Sequence, residues 1–135
     1  MALKPVHLSV TSHPKNLSCI RELLSETISQ TTLSQEALGS IILAVDEACS
    51  NIIRHSYNND HTREIKLTLE ISDKSLIITI MDNGIEFNIC TSEARDVTEV
   101  KPGGLGIYII KETMDMVEYC RTEDGYNQIK LVKKL

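Results

Sequence analysis

Three features of this chain predict an α+β two-layer sandwich, with a mixed, mostly antiparallel sheet and three helices on one face. Apolar residues repeat at helical spacing between Pro14 and Ser56, and at a period of two from Ile65 onward. Turn residues at Ser72-Asp-Lys-Ser75 and Glu123-Asp-Gly125 make two hairpins of sequence-adjacent strands, which a doubly wound parallel sheet cannot contain. The 135 residues, 41% hydrophobic and 24% charged, suit one globular core and leave too little chain for a second, so residues 1–135 read as a single domain. The expected order is β-α-α-β-β-α-β-β.

Val6-His-Leu-Ser-Val10 alternates and opens the chain as a strand. Pro14 then stands at the first position of a helix that Leu17, Ile20, Leu23, Leu24 and Ile28 carry to about Gln30. After a break at Thr31-Thr-Leu-Ser34, with Ser34 or Thr32 as cap, a longer helix runs from about Gln35 to Ser56 and closes at Asn58-Asn-Asp60. Ile65, Leu67, Leu69 and Ile71 alternate with polar residues, as in a strand with one buried and one wet face. Leu76 to Met81 is the next strand, ending at Asp82-Asn-Gly84. The polar, aperiodic stretch from Asn88 to Pro102 is long for a connection inside a compact domain and reads as a binding loop or lid. A third helix follows from Gly103 to about Asp115, and strands at Met116–Thr122 and Tyr126–Val132 finish the chain.

Fourteen basic against nineteen acidic residues give a net charge of −5, which disfavours nonspecific binding to nucleic acid. Lacking an apolar run of about 20 residues, the sequence predicts no membrane span. The first residues have neither the apolar stretch nor the cleavage site of a signal peptide, and the expected location is cytoplasmic. Cys19, Cys49, Cys90 and Cys120 have no zinc-ligand spacing, and Cys49 and Cys120 fall in apolar segments as small core residues. His7, His13 and His61 read as surface or boundary residues.

Three features could carry chemistry. On a wheel of about 100° per residue, Ile41, Ile42, Ala44, Val45, Ala48, Cys49, Ile52 and Ile53 fill one broad apolar arc, and Glu47, Asn51 and His55 line its border. Alone, such a stripe is as easily chance or capping as a site. Strand alternation points Asp82 inward with Leu76, Ile78 and Ile80, where a carboxylate followed by Gly84 is either a turn former or an acceptor for a buried donor. Gly103-Gly104-Leu105-Gly106 running into a helix offers free N–H groups and a positive helix end, an arrangement suited to phosphate, or else a flexible joint. No P-loop pattern occurs, and the cluster follows a polar loop where a dinucleotide fold would have a strand.

Taken in order, Glu47-x-x-x-Asn51, Asp82-x-Gly84 and Gly104-x-Gly106 resemble the three nucleotide-binding boxes of the GHKL ATPases. The stretches Glu47-Ala-Cys-Ser-Asn51-Ile-Ile-Arg-His55-Ser-Tyr57 and Gly103-Gly-Leu-Gly-Ile-Tyr-Ile-Ile-Lys-Glu-Thr-Met-Asp115, with the terminal Leu131-Val-Lys-Lys-Leu135, are similar to the small anti-sigma-factor serine/threonine kinases of that superfamily. The resemblance implies the histidine-kinase-like ATPase fold, with ATP and Mg²⁺ as cofactors. It makes Glu47 the general base, Asn51 the Mg²⁺ ligand and Asp82 the acceptor for the adenine amino group, with Gly84 beside the base. Gly104, Leu105 and Gly106 wrap the phosphates, His55 lies near them, and residues 88–102 form the ATP lid. Where such kinases often carry an arginine before the glycines, this chain has Lys101-Pro102, and Lys101 stands in that place. Many members use a threonine on a late strand for adenine, and no threonine follows Thr122 here. The implied substrate is an anti-sigma-antagonist (STAS-type) protein, with a sigma factor as a further partner and a homodimer as the assembly. The alternative is a nucleotide-gated binding regulator with little or no transfer. A detached histidine-kinase domain fits less well, because the chain lacks a phosphoacceptor helix.

Overall fold

The computed structural model describes residues 4–90 and 104–135. They form five strands, β1 (Val6–Thr11), β2 (Glu64–Ile71), β3 (Ser75–Asp82), β4 (Met116–Arg121) and β5 (Asn127–Lys134), and three helices, α1 (Leu17–Ile28), α2 (Gln35–Asn51) and α3 (Gly104–Thr113). Neighbouring strands in the order β1-β2-β3-β5-β4 all pair antiparallel, so the described sheet contains no parallel pair. The connection from β3 to β4 crosses over β5, and α3 lies on that path.

Alternation along the strands sends one set of side chains into the helix layer. Ile65, Leu67 and Leu69 of β2, Leu76, Ile78 and Ile80 of β3, and Ile129 and Leu131 of β5 are buried there. They meet Ile20, Leu24 and Ile28 of α1 and Ile41, Ala44, Val45 and Ala48 of α2 in one core. Each fully buried aliphatic side chain of this kind contributes about 1.5–3 kcal/mol. Because α2 packs against both α1 and α3, it is the central helix of the layer.

The helix starts follow from capping. His13 Nδ1 accepts from Lys15 N at 3.1 Å ahead of a 3₁₀ turn, Pro14–Asn16, which leads into α1. Ser34 Oγ accepts from Ala37 N at 3.1 Å and starts α2, satisfying one of its free N–H groups. The second helix reaches Ser56 as its periodicity predicts, but the last turn, Ile52–Ser56, is a π turn closed by Tyr57 N donating to Ile52 O at 2.9 Å. Asn58 and Asn59 then adopt φ of 50° and 63°, a left-handed stop that asparagine tolerates better than most residues.

Cys49 is buried as expected, whereas Cys120 is exposed. The alternation of β4 turns Val117 and Tyr119 toward the core side and leaves Cys120 on the open face. None of the four thiols is in a disulfide. His7, His13 and His61 are all exposed. Among the described residues no helix is long and apolar enough to cross a membrane.

Candidate functional site

The end of β3 places Asp82 inward, 1% exposed, beneath the helix layer. Its Oδ1 accepts from Gly84 N and from Asn127 Nδ2, both at 2.9 Å. Its Oδ2 is buried with no hydrogen-bond partner. Burial pushes the carboxyl pKa above its ordinary value, opposed by the bonds from Asn127 and Gly84, the charge of Arg121 and the nearby Ser56. Ser56 Oγ, although close enough to contribute, makes no hydrogen bond of its own.

Asn127 stands directly opposite Asp82 in the β3–β5 register. Both of its amide protons are used, on Asp82 and on Ile85 O at 2.7 Å. Its oxygen accepts from Tyr119 Oη at 2.5 Å, Arg121 Nη1 at 3.1 Å and Phe87 N at 3.3 Å. A saturated amide of this kind holds one Asp82 oxygen in place and leaves the other without a partner. Asn127 belongs to none of the three sequence motifs. A polar residue at an inward position, in step with Ile129 and Leu131, is the sign that could have found it.

Gly84 is required by a close approach. A Cβ there would lie 2.6 Å from the Ser56 carbonyl carbon and 2.9 Å from Ser56 Cβ, and would overlap the carbonyl oxygen. Ile85 N donates to that same oxygen at 2.9 Å, so the loop after β3 is bonded to the π turn of the second helix. Gly84→Ala is therefore expected to cost about 1–3 kcal/mol of unfolding free energy through overpacking, checked by urea denaturation.

Along the second helix the structure gathers Glu47, Asn51 and Arg54. Asn51 is 1% exposed, and its Oδ1 accepts from Arg54 Nη2 at 3.1 Å. Asn51 Nδ2 and Arg54 Nε are buried without partners. Glu47, half-buried, reaches across to α3, where a Cβ on Gly106 would lie 2.9 Å from Glu47 Cδ and overlap its Oε2. Only glycine leaves room for that carboxylate at the start of α3. Glu47, Ser50 and Arg54 also line a cavity of about 270 Å³ with Pro14, Leu17 and Asn59. His55, expected on the Glu47–Asn51 stripe, is exposed, and its ring stacks on Phe87 with centroids 4.8 Å apart and planes 20° from parallel. Partial burial, and then the charge of Arg54, push its pKa down. Gly104 and Leu105 lie in the first turn of α3 with Gly106. Residues 91–102 of the expected lid, Lys101 among them, fall outside the described residues, as does Gly103.

Two unpartnered buried atoms fit a nucleotide. Asp82 Oδ2 can only accept while ionised and suits an amino group, and Asn51 Nδ2 can only donate and suits a phosphate oxygen. A divalent ion would not be caged by side chains, because no group of three His, Cys, Asp or Glu among the described residues could hold one. Mg²⁺ tolerates such a place, taking one or two protein oxygens and the rest from phosphate and water. Asn51 Oδ1 is the oxygen at hand, and it already accepts from Arg54.

An antiparallel sheet layered on three helices, with a glycine-led helix set against the central one, is the architecture of the GHKL-type ATPases. The chain belongs to the histidine kinase-like ATPase domain family, whose model matches residues 10–133. It is similar to the serine-protein kinase RsbW of Bacillus velezensis, 23% identical over 121 residues that cover 84% of this chain and 76% of that one. The RsbW of Bacillus licheniformis is 28% identical over 120 residues, covering 83% and 75%. Among solved structures, the RsbU and RsbW domains of Rv1364c from Mycobacterium tuberculosis match with a TM-score of 0.70 at 13% identity, over 98% of this chain and 33% of that longer one. A chain of the SiaB–SiaC complex from Pseudomonas aeruginosa matches with a TM-score of 0.68 at 13% identity, over 94% and 88%. At these identities the structural likeness speaks for the fold.

Proposed function

We propose that this chain is an ATP-dependent serine/threonine protein kinase of the anti-sigma-factor type, which phosphorylates an anti-sigma-antagonist, STAS-type partner and regulates it by partner switching. The observation that carries this reading is the Glu47 carboxylate seated against Gly106 at the start of α3, where no larger residue would admit it. A carboxylate there, beside the N–H groups of a helix start that attract phosphate, can accept the proton of an incoming hydroxyl as the γ-phosphoryl group moves. Asp82 accepts from the adenine amino group through Oδ2, and Asn127 keeps it aimed.

Gly84 sets the floor beside the adenine, and Gly104, Leu105 and Gly106 present backbone amides to the phosphates. His55, stacked on Phe87, lies near the phosphates. Asn51 would hold Mg²⁺, which would supply positive charge to offset that of the phosphates. Residues 88–102 serve as the ATP lid, and Lys101 reaches the terminal phosphate. Residues 1–135 act as one catalytic domain, in the cytoplasm, as a homodimer that also binds a sigma factor.

The test is incubation with γ-labelled ATP and STAS-type proteins of the same genome. Label on a partner serine or threonine is expected. ATP binding without transfer would turn the reading to a nucleotide-gated regulator, and label on histidine would turn it to a histidine kinase.

A further inference from the structure

Arg54 has no role in the reading above, yet it holds the atom on which the metal site depends. Its Nη2 donates to Asn51 Oδ1 at 3.1 Å. A guanidinium has donors only, so this bond fixes the sense of the amide, with oxygen toward Arg54 and nitrogen away from it. That nitrogen is buried and unpartnered, and so is Arg54 Nε. Asn51 is 1% exposed, so neither end of its amide can turn to bulk water for a partner. In this state Asn51 offers the site a donor, which suits a phosphate oxygen and cannot ligate a metal. A hard divalent cation needs the oxygen, and the oxygen already faces a resident positive charge.

We propose that Arg54 is a built-in cation which occupies the Asn51 amide oxygen in place of the metal, so that Mg²⁺ must displace it and the amide turns end for end between two states. The proposal rests on the nucleotide reading and adds to it a positioning residue that sets how strongly ATP binding depends on metal. Arg54 follows Asn51 by three residues and Glu47 by seven, on one helix face, and lines the same cavity as Glu47. Its charge is felt nearby, since it helps hold His55 below its ordinary pKa. The metal-free state therefore keeps a cation next to the amide that faces the phosphates, while the metal-loaded state first has to break a charge-assisted hydrogen bond.

Calorimetric titration of ATP into the full chain, once with Mg²⁺ and once with EDTA, tests this through the ratio of the two dissociation constants. Arg54→Met is expected to hold or strengthen binding with Mg²⁺ and to weaken it in EDTA. The ratio then widens at least about tenfold, equivalent to about 1.4 kcal/mol. Arg54→Lys, which keeps the charge and loses the planar fork, is expected to shift the ratio in the same direction by less. If Arg54→Met fails to fold, by circular dichroism, the lysine variant decides by the same ratio. An unchanged ratio, or an equal loss in both buffers, overturns the proposal while leaving the nucleotide site standing. Absence of ATP binding by the unaltered chain both with Mg²⁺ and in EDTA overturns the proposal and the nucleotide reading together.

Discussion

Glu47→Gln is expected to lower phosphoryl transfer to the partner by about 10²–10⁴-fold, the range that a positioned general base contributes. ATP affinity is expected to stay close to that of the unaltered chain. Glutamine has the same shape and fills the same space against Gly106, so the packing of the second helix on α3 survives. What is lost is the ability to take a proton. Gly106→Ala should reach a similar loss by another route, since its Cβ lands on the carboxylate and drives Glu47 from the start of α3. Because both changes act on one carboxylate, the double variant should be little worse than either single one. Single-turnover transfer measured beside calorimetric ATP affinity separates these effects. Transfer within tenfold of the unaltered chain in Glu47→Gln would remove Glu47 from the chemistry.

The elements that rest on periodicity were legible in the sequence. The inward alternation of Leu76, Ile78 and Ile80 carried Asp82 with it, and the apolar arc of the second helix placed Asn51 and Glu47 at the edge of the core. The π turn was not legible. Burial of Ile52, Ile53 and Ser56 is compatible with an α turn or a wider one, and the left-handed asparagines and the Ser56 O to Ile85 N bond that accompany the π turn are not written in the periodicity. Beyond that turn His55 stacks on Phe87, and Arg54 is the side chain that meets Asn51, a pairing that a helix wheel of constant pitch does not single out. Gly106 and Glu47 are linked only through the packing of two helices, and spacing along the chain carries no trace of it. Asn127 hid for a different reason. Next to an Asp-Gly turn a polar residue passes for part of the turn, although its inward register makes it the partner of Asp82, on the late strand where threonine was missing.

That pairing makes Asp82 the place where stability and binding should move in opposite directions. Burial raises its folded-state pKa, so between the ordinary carboxylate value and the raised one the folded chain binds more protons than the unfolded chain. Stability should therefore fall as pH rises through that window and level off above it. On the proposed reading ATP binding should run the other way, because Oδ2 accepts a hydrogen bond from the adenine amino group only when ionised, and a protonated carboxyl would present a donor to a donor. Affinity should rise with pH through the same window, and binding at its acidic end should release a proton. Asp82→Asn removes the charge and keeps the shape. Its oxygen can still accept from Gly84 N and Asn127 Nδ2, while its NH₂ group takes the place of Oδ2 and opposes the adenine amino group. At neutral pH the variant is expected to equal or exceed the unaltered chain in urea denaturation. Its ATP affinity is expected to fall by about 1.5–3 kcal/mol, roughly 10- to 150-fold, and to lose its pH dependence across the window. A variant less stable at neutral pH would mean that the buried carboxylate holds the fold together. One that binds ATP as before would mean that Oδ2 faces no ligand, because a single buried atom changed from acceptor to donor cannot serve the same amino group.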